Sequence, residues 1–125
     1  MQLRDNKSGI LFPGHWGLFG GEVESGEESE AGLARELKEE LGILIEHMHL
    51  LTRFEFDLTP IGFKKIYRAF YEVRLSSNEL NSITLGEGAQ FQAFSRSEML
   101  TLPRLAPYDA FALWFHANKS RLHFK

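Results

Sequence analysis

Three glutamates lie close together in a stretch of the sequence typical of a helix: Glu36, Glu39 and Glu40. Because an α-helix turns by about 100° per residue, their side chains would share an arc of about 100° that borders the apolar stripe of the helix. Like charges three or four residues apart destabilise a helix, and Mg²⁺ or Mn²⁺, which prefer carboxylate oxygens, would remove that repulsion. The alternative is a solvated acidic face, and the helix alone leaves both interpretations open.

The helix that would carry these glutamates is predicted over residues 27–41. This stretch is rich in good helix formers, its leucines recur at helical spacing, and Gly42 is placed to end it. Strands are predicted near residues 16–19, 49–57, 63–75 and 89–95, a polar connector at 76–82, and a second helix over 105–118. Strands and helices that interleave around a mixed sheet predict an α/β/α layered domain.

The composition predicts one globular domain, residues 1–125. Hydrophobic residues make up 43% of the chain and charged residues 25%, and the formal net charge of −3 lacks the basic surplus of a nucleic-acid-binding protein. The absence of cysteine excludes disulfides, thiolate zinc sites and a cysteine nucleophile. Since no apolar run reaches membrane-spanning length and the first residues lack a signal-peptide core, we expect a cytoplasmic protein without membrane association.

The segment from Gly21 to Ile43 resembles the signature of a known family, the Nudix box. That signature is Gly, five residues, Glu, seven residues, Arg-Glu, an aliphatic residue, any residue, Glu-Glu, any residue, Gly and an aliphatic residue. Every specified position is matched, by Gly21, Glu27, Arg35, Glu36, Leu37, Glu39, Glu40, Gly42 and Ile43. The stretch at 13–21 is similar to the strand and Gly-Gly turn that precede the box in the family, and the stretch at 87–95 to a later acidic loop and strand.

The resemblance implies a fold and an activity. The fold would be a Nudix-like α/β/α sandwich with a mixed sheet. The activity would be hydrolysis of a diphosphate linkage in a nucleoside diphosphate joined to a group X, with Mg²⁺, or Mn²⁺, as cofactor. Nucleoside triphosphates and nucleotide sugars such as ADP-ribose both remain open as the small-molecule substrate. The alternative is a non-catalytic Nudix-like module that binds a nucleotide or a partner. The complete box argues against a third interpretation, an α/β domain whose acidic helix has no functional role.

The resemblance also implies roles for individual residues. Metal ligands would be the main-chain carbonyl of Gly20 and the carboxylates of Glu36, Glu39 and Glu40. Catalytic candidates are Glu39, Glu40 and, on the later loop, Glu87, of which Glu40 or Glu87 would be the general base. Arg35 would orient a ligand carboxylate and pair with Glu27, in support of the metal ligands. Substrate contacts are predicted for Arg4 and Arg68 with phosphate and for Phe56 with a base.

The chain departs from the family pattern at its beginning. Family members usually open with a full strand, whereas this sequence starts almost at the end of that strand. Three alternatives are open for this element of the sheet: it is missing, it is supplied by a partner, or it is lost through a late start of the sequence. An unpaired sheet edge favours association with other strands, and a second copy that covered it would form a homodimer.

Overall fold

The computed structural model describes residues 1–84 and 90–122, and the elements below belong to that part of the chain. Five strands and four helices follow one another as β1 (Gln2–Leu3), β2 (Trp16–Gly17), α1 (Ser29–Leu41), β3 (His49–Asp57), β4 (Lys65–Glu72), α2 (Ser77–Asn81), β5 (Gln90–Phe91), α3 (Arg96–Thr101) and α4 (Pro107–Asn118). Short 3₁₀ turns cover Thr59–Ile61 and Lys119–Arg121. In these ranges, no helix is both long and apolar enough to cross a lipid bilayer.

The strands form two antiparallel sheets. One sheet has the order β2-β1-β5, and the other is the β3–β4 hairpin, in which Phe54 lies opposite Arg68 and Phe56 opposite Ile66. Parallel pairing occurs at the bridge between Trp16 and Leu105, where the segment before α4 runs beside β2. The predicted α/β class is therefore confirmed, although the strands of the described ranges pair as two sheets and not as one continuous mixed sheet.

Most predicted elements are present, with shorter bounds. The strand predicted over 49–57 is confirmed as β3, and the helix predicted over 27–41 begins two residues later, at Ser29. The helix predicted over 105–118 begins at Pro107, because proline suits the first position of a helix, where its missing N–H costs nothing. The prediction of a polar connector at 76–82 was wrong in part, since Ser76 and Glu79 form a capping box that opens α2.

Two small apolar clusters hold α1 and α4 in place. Leu37, Leu41 and Ile43 are buried together, with Leu33 and Phe19 packed against them. This cluster holds the apolar side of α1 beside the segment that leads from β2 into the box.

Aromatic contacts attach α4 to one face of the β3–β4 hairpin. Phe54 meets Phe111 edge to face, with ring centroids 4.5 Å apart, and Phe56 lies 6.3 Å from the buried ring of Tyr108. Such pairs add about 0.5–1.5 kcal/mol beyond the area they bury. The two clusters thus position the acidic side of α1 and the first turn of α4.

Candidate active site

The three glutamates of α1 run from the core to the solvent. Glu40 is buried, with 7% of its surface exposed, and lies next to the buried Leu41. The side chain of Glu36 is 19% exposed and that of Glu39 is 60% exposed. The helix therefore places its acidic residues at the rim of the apolar cluster, and Gly42, in the left-handed conformation at φ 69°, ends the helix directly after them.

Arg35 is the centre of an ion-pair network around this acidic side. Its guanidinium donates to both carboxylate oxygens of Glu27, from Nε at 2.9 Å and from Nη2 at 3.1 Å. Nη1 donates to Glu36 Oε1 at 2.8 Å and to Glu39 Oε2 at 3.4 Å. A two-pronged bond of this kind fixes the plane of the guanidinium as well as its charge. Arg35 thus joins the beginning of the box to two of its metal-ligand candidates.

The network shifts the titration of its members. The pKa of Glu27 is lowered, first by the hydrogen bond from Arg35 and then by the backbone N–H of Glu24, which donates to Oε1 at 3.0 Å. Hydrogen bonds to Glu27 and then Glu36 raise the pKa of Arg35 above its ordinary range. Both charges are therefore maintained at neutral pH, and Glu27 stays available to hold Arg35 in place.

Two glycines make room for these carboxylates. A Cβ on Gly21 would lie 2.4 Å from Cδ of Glu36, and one on Gly32 would lie 2.8 Å from Oε1 of Glu27. A Cβ at either position would displace the end of the glutamate side chain, so glycine permits the carboxylates to lie where they do. The sequence analysis missed Gly32, whose only signal was a glycine inside a helix, where it costs about 1 kcal/mol relative to alanine.

The donor set suits a hard cation, although the carboxylates are not gathered around one point. In residues 1–84 and 90–122 no three His, Asp or Glu side chains form a group that could hold a metal ion as they stand. Glu36 and Glu39 instead turn towards Arg35. Mg²⁺ prefers oxygen ligands such as carboxylates. Glu36 and Glu39 supply them from nearby positions on α1, and the backbone of Gly21 lies against Glu36. These carboxylates could bind one cation together only after the side chains of Glu36 and Glu39 had rotated away from Arg35.

The predicted substrate-binding residues lie near the first turn of α4. The Arg68 guanidinium carbon lies 4.1 Å from the ring centre of Tyr108, and the side chain of Arg4 passes beside Gly17. Phe56 is half-buried among the rings of Tyr108 and Phe111. Arg4 and Arg68 therefore share the neighbourhood of the first turn of α4. Glu87, the later-loop candidate, lies outside the described residues.

Asp109 is a polar group that the sequence analysis did not single out. It is 3% exposed and accepts a hydrogen bond from the backbone N–H of Leu18 at 3.0 Å. Burial raises its pKa to about 6, against the opposing effects of the Leu18 N–H and of the charges of Arg68 and Arg4. Its sequence signal was only that of an acid in the first turn of a helix, where acids are common.

Two surface clefts are lined by residues outside α1. The larger, about 380 Å³, lies between the start of β3 and the end of β4, and the smaller, about 300 Å³, between the 9–11 loop and Phe63. The acidic side of α1 is reached directly from solvent, because Glu39 and part of Glu36 are exposed.

The fold and the site define the class of protein: an α/β domain with an acidic helix whose carboxylates lie beside a Gly-Gly turn. Comparison with known families is more specific, since the model of the NUDIX domain matches residues 3–115. The chain belongs to the Nudix hydrolase family.

Relatives of known sequence match part of the chain. "Nucleoside triphosphatase NudI" of Salmonella arizonae is 51% identical over 63 residues, which are 50% of this chain and 38% of that protein. The Escherichia coli protein of the same name is 62% identical over 32 residues, or 26% of this chain and 23% of that protein. The matched segments therefore span well under half the length of these relatives.

Solved structures match the fold over nearly the whole chain. A MutT protein from Methanosarcina mazei superposes with a TM-score of 0.77 at 22% identity, covering 97% of this chain and 83% of that one. A MutT NUDIX hydrolase from Burkholderia pseudomallei gives 0.70 at 26% identity, with coverages of 90% and 84%. The Nudix fold is thereby confirmed.

Proposed function

We propose that the protein hydrolyses a diphosphate linkage in a nucleotide, with a divalent cation held by α1. The observation that carries this proposal is the arrangement of Glu36, Glu39 and Glu40 at the rim of the core, with Gly21 packed directly against the Glu36 carboxylate. Carboxylate oxygens can bind a divalent cation, and the neighbouring glycines Gly20 and Gly21 leave room for a diphosphate bound to that cation.

The metal would be held by Glu36, Glu39 and Glu40 together with the carbonyl of Gly20, and we propose Mg²⁺, with Mn²⁺ as a substitute. When bound, such a cation neutralises the diphosphate and lowers the barrier to attack by water. Arg35 controls the availability of the ligands, because Glu36 and Glu39 face its guanidinium at 2.8 and 3.4 Å. The bond from Arg35 to Glu27 keeps the guanidinium in place when these two carboxylates turn away.

The general base would be Glu40 or Glu87. Glu40 is buried beside the ligand candidates, which favours a carboxylate that takes a proton from water in a partly desolvated site. Glu87 stays the candidate that the family resemblance suggests. Substitution of each by glutamine, with the pH dependence of kcat compared, separates the two.

Among the substrates, we favour nucleoside triphosphates over nucleotide sugars such as ADP-ribose. The support is the name of the similar proteins, nucleoside triphosphatase, at 51% identity over half of this chain. In this proposal Arg4 and Arg68 contact phosphate, and Phe56 lines the side of the base. We also predict that the protein is cytoplasmic and has no nucleic-acid or membrane partner. A homodimer that covers a sheet edge is a further prediction.

A non-catalytic nucleotide-binding module is the second candidate. One observation favours it: Glu36 and Glu39 are engaged by Arg35 and are not gathered for a metal. The two candidates differ in turnover, because a module would bind a nucleotide tightly and release no product.

A substrate panel with matched variants tests the proposal. Release of nucleoside monophosphate, pyrophosphate or phosphate is measured for nucleoside triphosphates and ADP-ribose, with and without Mg²⁺. We expect Mg²⁺-dependent turnover that falls at least 100-fold in Glu39→Gln or Glu40→Gln, since metal ligands cannot be replaced by a neutral amide without large loss. Glu30→Gln, an exposed acid in the first turn of the same helix, is the control and should leave turnover unchanged. Turnover that survives in both variants would refute the site, and tight binding without turnover would establish the module.

A further inference from the structure

The hydrogen bonds between β2 and the segment before α4 follow a parallel-strand pattern. Trp16 N donates to the Arg104 carbonyl at 2.7 Å, and Ala106 N donates to the Trp16 carbonyl at 2.9 Å. If the segment continued as a strand, the next bond would run from Leu18 N to the Ala106 carbonyl. That carbonyl instead accepts from Ala110 N at 2.8 Å, because Pro107 begins α4.

The side chain of Asp109 supplies the missing acceptor. Its Oδ2 accepts from Leu18 N at 3.0 Å, so a carboxylate continues the ladder by one bond after the backbone has turned into a helix. The carbonyl of Leu18 is approached from the other side by the side-chain amide of Gln2, at 3.5 Å. Both Asp109 and Gln2 are buried, so Leu18 is held by polar groups that water reaches little.

The space around the Asp109 carboxylate is narrow. A Cβ on Gly17 would lie 3.1 Å from Oδ2 and 3.6 Å from Cδ of Arg4, so β2 approaches the carboxylate through a glycine. Arg4 and Arg68 supply positive charge that lowers the pKa of Asp109 against the effect of burial. The carboxylate thus has one defined position relative to β2.

We propose that Asp109 is a positioning residue for the turn at Gly20 and Gly21. Leu18 precedes this turn by two residues. Gly21 lies so close to the Glu36 carboxylate that a Cβ on it would be 2.4 Å from Cδ of Glu36. By fixing Leu18, Asp109 sets where the Gly20 carbonyl stands relative to the Glu36 carboxylate. The inference rests on the proposed function, in which these two groups bind the same cation.

Binding of Mn²⁺ to the purified full chain, without nucleotide, tests the inference. Free Mn²⁺ is measured by electron paramagnetic resonance. Asp109→Leu removes the acceptor and is expected to weaken Mn²⁺ binding about tenfold, the lower end of what supporting residues contribute. Asp109→Asn keeps an oxygen that can accept from Leu18 N and should restore binding to within about threefold of the original protein. Asp57→Leu is the control, because exposed Asp57 also accepts a backbone N–H, that of Thr59 at 3.0 Å, outside this region.

A second variant reaches the same contact from the opposite side. Gly17→Ala adds a Cβ that pushes on the Asp109 carboxylate while Asp109 itself is retained. We expect it also to weaken Mn²⁺ binding, and the double variant Gly17→Ala/Asp109→Leu to show less than the product of the two separate effects, since both act on one contact. If Asp109→Leu does not fold, the two single variants Gly17→Ala and Asp109→Asn still test the inference: the first should weaken Mn²⁺ binding and the second should not.

Amide hydrogen exchange separates the failure of this inference from that of the proposed function. Faster exchange at Leu18, Gly20 and Gly21 in Asp109→Leu or Gly17→Ala is expected. Unchanged exchange there, or Mn²⁺ affinity equal to that of the original protein in both variants, overturns the inference. If the original protein binds no Mn²⁺, the proposed function fails, and the exchange rates alone decide whether Asp109 positions the turn.

Discussion

At the scale of single residues, glycines determine where the acidic groups can lie. Gly21 and Gly32 sit where a Cβ would collide with a carboxylate of Glu36 or Glu27. The box specifies glycine at position 21 but leaves position 32 open, so only the contact explains the second one. The charges are also paired locally, since Arg35 forms ion pairs with four glutamates: Glu24, Glu27, Glu36 and Glu39.

The first prediction concerns Gly21. Gly21→Ala should displace the Glu36 carboxylate and reduce Mg²⁺-dependent turnover by about 10–100-fold, as loss of a correctly placed ligand does. The cost in the free energy of unfolding should be about 0.5 kcal/mol or less, because the Cβ at this exposed position meets only the end of a flexible side chain. Steady-state kinetics and urea unfolding measure the two effects. Gly26→Ala, in the same loop with nothing within 4 Å of its Cβ, is the comparison: it should lose stability through its positive φ of 78° and keep its turnover.

The second prediction concerns the pH dependence that Glu27 contributes. Its pKa is lowered from the ordinary 4.5 by Arg35, so its contribution to stability is complete above pH 4.5 and is lost as the pH falls through the lowered pKa. Glu27→Gln should therefore flatten the loss of stability on acidification below pH 4.5. Thermal unfolding from pH 7 to pH 3 measures this. Curves of equal slope in the two proteins would show that the Arg35–Glu27 pair does not contribute.

At the scale of elements, one carboxylate ties the end of β4 to the end of α4. Glu72 accepts from Lys119 Nζ at 2.5 Å and lies 3.2 Å from His116 Nε2. These partners, Lys119 first, lower the pKa of Glu72 to about 2. The contact fixes the C-terminal end of the helix whose first turn carries Asp109.

The third prediction tests that link. Glu72→Gln should lower the free energy of unfolding at pH 7 by about 1 kcal/mol at most, because the pair is partly exposed and screened by water. The difference from the original protein should vanish as the pH falls from 4.5 to about 2, where Glu72 becomes protonated. Chemical unfolding at several pH values measures it, with Glu55→Gln on the exposed face of the hairpin as control. A difference that persists at pH 2 would assign the effect to packing.

At the scale of the whole molecule, residues far apart in sequence meet around β2. Arg4 comes from the segment after β1, Arg68 from β4, and Asp109 from α4. Only the assembled fold brings these charges together. Burial favours the neutral form of the Asp109 carboxyl, and the charges of Arg68 and Arg4 oppose that effect.

The fourth prediction follows from that carboxyl. Burial raises the pKa of Asp109 from 3.8 to about 6, so its stabilising contribution is complete below pH 3.8 and is lost as the pH rises through about 6. Asp109→Asn, which carries no charge, should lack this fall in stability, which is on the order of 2–3 kcal/mol for a shift of about two pKa units. Unfolding free energies below pH 3.8 and above pH 7 are compared, because the fall lies between the two pKa values. A fall between these values that is the same in both proteins would place the titrating group elsewhere.

Predictions from sequence were best where the information is local. The 3.6-residue period predicted α1 to within two residues at its start, and the alternation over 63–75 predicted β4, which spans Lys65–Glu72. The prediction for 76–82 failed although its capping box was present, because a five-residue helix has no apolar period to reveal it. The strand predicted over 89–95 is β5, with only two residues described as strand, since Ser95 begins the capping box of α3.

The sequence by itself determined the helix, its acidic residues and the family, because helical spacing and the Nudix box depend on residues close together in the chain. The tertiary structure alone decided that Glu40 is buried while Glu39 is exposed, and that Asp109 accepts from Leu18. Those facts depend on contacts between distant segments and on the exclusion of water. The hydrogen bond that Asp109 accepts and the raised pKa of its carboxyl do not follow from its place in the chain.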